Sequence, residues 1–304
     1  MMQQKENSPW FVHPALLTVG LIYAGAYSIA KIALGGYVPP FGFALLRVFF
    51  ATIVLSIVHA LTVKEKVTDK KDLWLLAKCG LFGAALNQLL FLKGLSLTTA
   101  VNSSIIMTLI PVMVLIFSFL LLGENVGWRK VMGIVLALIG AVILLYKDDF
   151  GLSNDTLMGD LLNFLNAASY ALYLVLVKPL MKKYHSLTVI KWVFIFSFIF
   201  VLPFGFSDIL AIEWVNFTPA IWGSVAYVIL AATILVYWLN VVTLKYVSPA
   251  IVGVYIYLQP LFATVIAIFA FGESFQLKQL LATLLIFAGV YFVNFSATVK
   301  KKST

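Results

Sequence analysis

Ten long apolar runs follow one another along the chain, separated by short polar segments. A helix of about 20 apolar residues can cross the roughly 30 Å hydrocarbon core of a bilayer. Hydrophobic residues make up 62% of the 304 residues and charged residues 11%, whereas a soluble domain carries about 25% charged residues. We therefore predict an all-α integral membrane protein with ten transmembrane helices, because a helix pairs its own backbone polar groups in lipid. The predicted spans are 12–34, 41–63, 73–93, 99–122, 128–146, 157–178, 187–206, 219–243, 249–271 and 277–297.

The residue types that bind nucleic acid or metal are scattered along this sequence. The net charge of +9 is divided among the polar segments instead of forming one patch, so no nucleic-acid partner is predicted. Cys79, the single cysteine, excludes an intrachain disulfide framework and a cysteine-rich metal site. His13, His59 and His185 lie at span ends or in a loop. The sequence therefore predicts neither a metal site nor a cofactor.

Lysine and arginine residues are distributed unevenly between the two sets of loops. Ten spans place both termini on one side of the membrane, and fifteen of the 21 basic residues fall on that side, against four on the other. By the positive-inside rule, both termini are predicted to be cytoplasmic. We expect a multi-pass protein of a bacterial-type cytoplasmic (inner) membrane, with lipid around it.

The chain also contains an internal repeat with an offset of 149 residues. Each copy has a proline inside an apolar run, a Gly-Glu pair at the end of that run and a glycine in the next run. The aligned pairs are Pro111 with Pro260, Gly123-Glu124 with Gly272-Glu273, and Gly140 with Gly289. The predicted repeats are 12–146 and 157–297, with five spans each. Because five is odd, the second repeat is inverted in the membrane, an arrangement typical of secondary transporters with a substrate site between the repeats.

These segments resemble the tandem EamA domains of the drug/metabolite transporter (DMT) superfamily. The likeness is carried by "IPVMVLIFSFLLLGE" and "QPLFATVIAIFAFGE", by Gly133, Gly140 and Gly289 in the helices that follow, and by Arg47. The resemblance covers nearly the whole chain. It implies ten helices in two inverted repeats and the export or exchange of small polar metabolites, with amino-acid efflux as the best-known case.

Polar side chains that share one face of a span are costly in lipid, so we expect them to line an interior cavity. In span six, four residues at i, i+3, i+7 and i+10 fall within an arc of roughly 80°; they are Asn163, Asn166, Tyr170 and Tyr173. Span eight repeats the pattern with Thr233, Tyr237 and Asn240. Further candidates are Tyr23, Tyr27, Asn87, Gln88, Asn102, Ser103, Tyr255 and Gln259. Amide and phenol groups suit a small polar or zwitterionic solute, and the alternative is that they only bond helices together.

Charged residues within or near the spans suggest more specific roles. The guanidinium of Arg47 is suited to a substrate carboxylate, and the alternative is that the side chain snorkels outward or pairs with a helix C-terminal carbonyl. Asp160 is the best candidate for a proton site, but the sequence places no acidic residue at mid-membrane. Uncoupled or exchange transport is therefore favoured over ion coupling.

Small residues and prolines suggest how the helices pack and move. Pro111 and Pro260 are candidate hinges, or else static kinks. Gly133, Ala137 and Ala141 form a small-residue face of the kind that packs helices closely. This face is expected to serve within one half or between the two copies of a homodimer.

The function predicted from these features is secondary transport of a small-molecule solute by alternating access. Within transporters, the alternative is a nucleotide-sugar or sugar-phosphate exchanger, although such anions call for several buried basic residues. Outside transporters, the alternative is an intramembrane lipid-modifying enzyme. That chemistry needs clustered Asp, Glu or His at the membrane face, so the chain is predicted not to be an enzyme.

Overall fold

The computed structural model describes residues 10–123, 127–145, 155–243, 259–272 and 276–299, and no β-strand occurs in these ranges. Its α-helices are α1 (Val12–Leu34), α2 (Pro40–Thr62), α3 (Lys70–Gly80), α4 (Leu86–Leu97), α5 (Ala100–Met107), α6 (Ile110–Leu122), α7 (Trp128–Leu145), α8 (Asp155–Leu176), α9 (Lys178–Lys183), α10 (Ser186–Leu210), α11 (Pro219–Ala226), α12 (Val236–Thr243), α13 (Gln259–Phe271) and α14 (Leu277–Val299). The fold class predicted from the sequence, an all-α integral membrane protein, is confirmed.

The observed helices follow the predicted spans closely, although not all of them reach the length of a bilayer. Five helical segments are long and apolar enough to cross a membrane: 12–34, 40–62, 70–97, 156–183 and 186–210. The bent pair α5–α6 makes a sixth, and shorter apolar helices occupy the remaining predicted spans. The count of ten spans therefore stays a prediction.

Helix boundaries follow from local capping. The side chains of Asp69, Thr99 and Thr218 accept hydrogen bonds from backbone N–H groups in the first turns of α3, α5 and α11, which satisfies donors that the helix itself leaves unpaired. At the other end, α6 and α13 stop at Gly123 and Gly272, whose φ angles are 63° and 66°. Only glycine adopts this left-handed conformation without a steric cost. These two stops are equivalent positions of the repeat.

Pro111 lies at the start of a helix instead of in its middle. α5 ends at Met107, α6 begins at Ile110, and the two helices meet at an angle of 40°. A proline in the first helical turn costs little, because its missing N–H would have no partner within the helix. The prediction of a proline inside a continuous helix is therefore corrected. Pro260 is the second described residue of α13, and because the residues just before it lie outside the described ranges, its place within a span stays a prediction.

One π-helical segment interrupts the third span of each predicted repeat. One covers Leu81–Ala85, between α3 and α4, and the other covers Tyr227–Leu235, between α11 and α12. An offset of 149 residues places the first segment inside the second. π-helical turns are rare and frequently occur at functional sites. The sequence analysis did not predict them.

The last helices of the two predicted repeats, α7 and α14, pack against each other through glycines. A Cβ atom added at Gly289 would lie 2.4 Å from the carbonyl oxygen of Gly133, and one added at Gly140 would lie 2.9 Å from the carbonyl oxygen of Ala282. The partner's residue number falls as the number along α7 rises, so the two helices run antiparallel. The small-residue face of α7 thus packs against the other half of the same chain, and not within its own half.

α2 and α10 also pair in antiparallel fashion, one from each predicted repeat. At one end, the backbone N–H of Gly42 donates to Asp208 Oδ2 at 3.1 Å. At the other end, the N–H of His185, the N-cap of α10, donates to Glu65 Oε2 at 2.9 Å. Each end of the pair thus has a carboxylate of one repeat at the helix N-terminus of the other, where the helix dipole favours negative charge.

Candidate functional site

The polar stripe of α8 meets polar side chains of two other helices in the interior. Asn163 Nδ2 donates to Ser103 Oγ of α5 at 2.9 Å. Asn166 accepts a hydrogen bond from Asn87 of α4, and its own Nδ2 lies 3.4 Å from Met107 Sδ. Both asparagines of α8 are almost fully buried. The predicted inward direction of the stripe agrees with these contacts, which also bond the helices to one another.

The two tyrosines of the stripe lie farther along α8 and are half-buried. The rings of Tyr170 and Tyr173 are 5.6 Å apart. The ring of Tyr173 packs directly on Gly83 of the first π-helical segment, where an added Cβ would lie 2.4 Å from it. Ser169 Oγ also donates to the carbonyl oxygen of Phe82 at 2.7 Å. The first π-helical segment is therefore a direct neighbour of the candidate site.

A second group of candidates joins α1, α4 and α13. The hydroxyl of Tyr27 donates to Gln259 Oε1 at 3.3 Å, and its ring meets the ring of Phe91 edge to face at 5.7 Å. Gln88 precedes Phe91 by three residues, so both lie on one face of α4. The Tyr27, Gln88 and Gln259 side chains are each less than 8% exposed. Polar groups from both predicted repeats thus come together here.

Arg47 contacts the second π-helical segment. Its Nε donates to Thr233 Oγ1 at 3.0 Å, and that hydroxyl donates to the carbonyl oxygen of Val228 at 2.8 Å. The side chain of Arg47 is 6% exposed. The side chain of Arg47 is thus buried against span eight, and which of the predicted roles it serves stays a prediction.

Sequence reasoning left most of one polar network out of the candidate site. Lys31 Nζ donates to the carbonyl oxygen of Thr98 at 2.7 Å, and the Thr98 hydroxyl donates to Asp160 Oδ1. Asn102 Nδ2 donates to Asp160 Oδ2 at 3.0 Å, and Gln279 Nε2 donates to Asn102 Oδ1 at 2.7 Å. All five residues stand at span ends that the ten-span topology places on one face. Their shared position near one surface of the membrane is the sequence signal that would have grouped them.

The remaining predicted site residues are located only by the elements that carry them. Tyr23 lies on α1 and is half-buried. Tyr237 and Asn240 belong to α12, and Tyr255 lies outside the described ranges. Among the described residues, His, Cys, Asp and Glu side chains do not form a group of three that could hold a metal ion.

Two acceptors inside this site lack a hydrogen-bond donor. Gln88 Oε1 and Asn163 Oδ1 are buried and have no partner among the described residues. An unpaired buried amide oxygen costs about 1–3 kcal/mol. Such groups are expected where a ligand or an ordered water supplies the missing donor.

Comparison with known proteins places the chain among carriers. The model of the EamA-like transporter family matches residues 10–146 and 157–295. The chain belongs to the EamA-like transporter family. The resemblance predicted from the repeat is confirmed, and the EamA-like chain is a multi-pass membrane transporter of the DMT superfamily rather than an enzyme.

Relatives of this EamA-like chain share its length but carry little information about the solute. A protein of Archaeoglobus fulgidus named "Uncharacterized transporter" is 28% identical, over 93% of this chain and 96% of its own. The "WAT1-related protein At3g53210" of Arabidopsis thaliana is 26% identical, over 93% of this chain and 85% of its own. A solved crystal structure with 19% identity and a TM-score of 0.63, covering 96% of this chain and 99% of that chain, supports the fold alone.

Proposed function

We propose that this protein carries a small polar metabolite across the cytoplasmic membrane by alternating access between its two halves, with amino acids as the first class to test. Membership of the EamA-like transporter family supports the transporter part of this proposal. The antiparallel pairs α7–α14 and α2–α10 support the inverted arrangement on which alternating access depends.

The observation that carries the proposal is the pair of buried amide oxygens without donors. Gln88 Oε1 and Asn163 Oδ1 are acceptors only, so a solute with N–H groups complements them and a solute with only acceptors does not. A primary ammonium group supplies three donors. Tyr27 and Gln259 bond to each other near Phe91, on the same face of α4 as Gln88, and add a phenol and an amide from the two predicted repeats. Solutes bearing an ammonium group are therefore the best match.

The movement that alternating access requires has several candidate pivots. Pro111 stands at the start of α6, next to the break between α5 and α6, and Pro260 is its equivalent in the second predicted repeat. The two π-helical segments lie in the third span of each repeat and contact Tyr173 and Arg47. We assign the bending to the α5–α6 break and the two π-helical segments, because each interrupts a regular helix, and to Pro260 because it is the repeat equivalent of Pro111.

The test is uptake by proteoliposomes that contain purified protein and a set of radiolabelled solutes. The set includes neutral amino acids, sugar phosphates and nucleotide sugars, so that it separates the proposal from the exchanger alternative. We expect uptake of at least one amino acid, and a loss of roughly tenfold or more in Gln88→Leu, because the solute then loses a buried hydrogen bond.

The melting temperature distinguishes solute binding from helix bonding. Gln88→Leu removes an oxygen that the protein leaves unpaired, so the melting temperature should stay the same or rise. Gln276→Leu, at an exposed helix start, is the matched control and should transport normally. Normal transport by Gln88→Leu would refute the site assignment, and uptake of sugar phosphates alone would refute the amino-acid class.

A further inference from the structure

A cavity opens between the two predicted repeats, with Thr233, the hydrogen-bond partner of Arg47, in its wall. It has a volume of about 90 Å³. It lies between α2, the start of α10 and the second π-helical segment with α12. Its apolar walls include Ala51, Leu55 and Val58 of α2, Leu187 of α10, and Ile234 and Trp238 of span eight.

The size and lining of this cavity argue against a whole polar solute. Pockets that hold small-molecule ligands measure about 300–1,000 Å³ and include several polar groups. Here the polar group in the wall is Thr233, whose hydroxyl already accepts from Arg47 and donates to Val228. The cavity thus fits part of a single aliphatic chain that enters beside α2.

The surroundings of the cavity are apolar and exposed. Ile53 and Ile57 of α2 are 40% and 54% exposed, and Trp238 on the other side is 57% exposed. In a protein that spans a membrane, such a surface faces the hydrocarbon of the bilayer. An acyl chain of a neighbouring lipid therefore reaches the cavity without crossing water.

The end of the cavity nearest the membrane surface carries positive charge. Val58 is followed by the buried His59, whose Nε2 lies 3.0 Å from Thr188 Oγ1 and whose Nδ1 lies 3.4 Å from Lys191 Nζ. The segments 63–72 and 177–191 on this face contain eight lysines and three acidic residues. Basic pockets between transmembrane helices bind anionic lipid headgroups.

We propose that this cavity and its basic end form a binding site for an anionic phospholipid, with one acyl chain between α2 and span eight and the phosphate near Lys191. The lipid bridges the two repeats, because α2 belongs to one and α10 and span eight belong to the other. The site does not depend on the identity of the transported solute.

The first test uses the unmodified protein in detergent with added lipid. Native mass spectrometry counts bound lipid, and thermal unfolding measures stabilisation, since a ligand that binds only the folded state raises apparent stability. We expect long-chain phosphatidylglycerol to bind more tightly than long-chain phosphatidylcholine and than a short-chain phosphatidylglycerol. Equal binding of the two headgroups, or equal stabilisation by inorganic phosphate alone, would overturn the proposal.

Two variants with matched controls distinguish the contribution of the lipid acyl chain to binding from that of the lipid headgroup. Ala51→Leu fills the cavity and should abolish the chain-length dependence, whereas Ala60→Leu, the same change at an exposed position of α2, should preserve it. Lys191→Gln should weaken phosphatidylglycerol binding about fivefold, as expected for one lysine at a membrane surface. Lys182→Gln, at an exposed position of the same face, should have a smaller effect. Equal effects of the two lysine changes would mean diffuse attraction and no specific site.

Discussion

At the scale of single residues, the polar groups buried among the helices dominate the energetics. Asp160 has no exposed surface, and both of its carboxylate oxygens accept hydrogen bonds, from Thr98 and from Asn102. Asn102 in turn accepts from Gln279, so one carboxylate organises side chains from the starts of α5, α8 and α14. A buried carboxylate is tolerated only when its hydrogen bonds are made.

We predict that Asp160→Asn destabilises the protein by about 1.5–3 kcal/mol, the usual value of a hydrogen bond to a charged group. The new amide N–H₂ cannot accept from the donor that it faces. Thermal unfolding in detergent measures the effect. Asp69→Asn is the control, because asparagine caps a helix about as well as aspartate. Equal melting temperatures for Asp160→Asn and the native protein would show that the network contributes nothing.

Glu65 makes stability depend on pH. The hydrogen bond from Thr188, together with the one from the His185 backbone N–H, holds the pKa of Glu65 below its usual range. A lowered folded-state pKa stabilises the fold above the ordinary glutamate pKa of about 4.3, and this contribution is lost as the pH falls further.

The difference in melting temperature between the native protein and Glu65→Gln should therefore be constant from pH 8 to about pH 5 and shrink below that. Glu213→Gln, in an exposed loop, is the control and should follow the native curve. A difference that grows on acidification would contradict the assigned direction of the shift.

The side-chain pattern of span six predicted which face of α8 points inward, because helical periodicity fixes relative directions within one helix. It did not predict that Asn163 meets Ser103 or that Asn166 meets Asn87. Those pairs depend on how far one helix is displaced along another, and a single sequence carries no signal for that displacement. Lys31 and Gln279 were passed over although the ten-span topology already placed them near one face of the membrane, together with Asn102 and Asp160.

At the scale of helices, the spans were predicted well because the length of an apolar run is set by the thickness of the bilayer. The interruptions inside the spans were not predicted. An extra residue in the Leu81–Ala85 or Tyr227–Leu235 segment leaves composition and periodicity almost unchanged. Pro111 marked the approximate place of the break between α5 and α6. The sequence did not show that the proline lies in the first turn of α6, just after the break.

The contact between α7 and α14 gives a prediction at this scale. Gly289→Ala should lower the melting temperature, because its Cβ would lie 2.4 Å from the Gly133 carbonyl oxygen, and overpacking typically costs about 1–3 kcal/mol. Gly223→Ala is the matched control, since a Cβ there meets nothing within 4 Å. Alanine favours helix over glycine by about 1 kcal/mol, so the control should be neutral or more stable. A gain of stability in Gly289→Ala would show that the close approach is absent.

At the scale of the whole molecule, the uneven charge of the loops and the odd number of spans per repeat predict the topology. Glu124 and Glu273 follow Gly123 and Gly272 in the sequence, at equivalent positions of the repeat, and both lie outside the described residues. We predict that they lie on opposite sides of the membrane, with Glu124 cytoplasmic, because the repeats are inverted and the positive loops stay inside.

Single-cysteine labelling tests this topology. Cys79 is fully buried, so the native chain gives a low background with a membrane-impermeant maleimide. In intact cells, Glu273→Cys should be labelled, whereas Glu124→Cys should react only after permeabilisation. Ser303→Cys is the cytoplasmic reference. Labelling of both glutamate positions from the same side would contradict the inverted repeat. It would also contradict alternating access between the two halves.

The glycine contact between α7 and α14 has a consequence for how such a chain is assembled. Position 140 meets position 282, and the equivalent position 289 meets position 133, which is the reciprocal pattern of a two-fold interface between identical subunits. The interface is thus self-complementary. A polypeptide with only the first five spans would carry the same surface unpaired, and two copies inserted in opposite orientations would match each other along it. The full-length chain joins covalently what a half-length protein would have to assemble from separate copies.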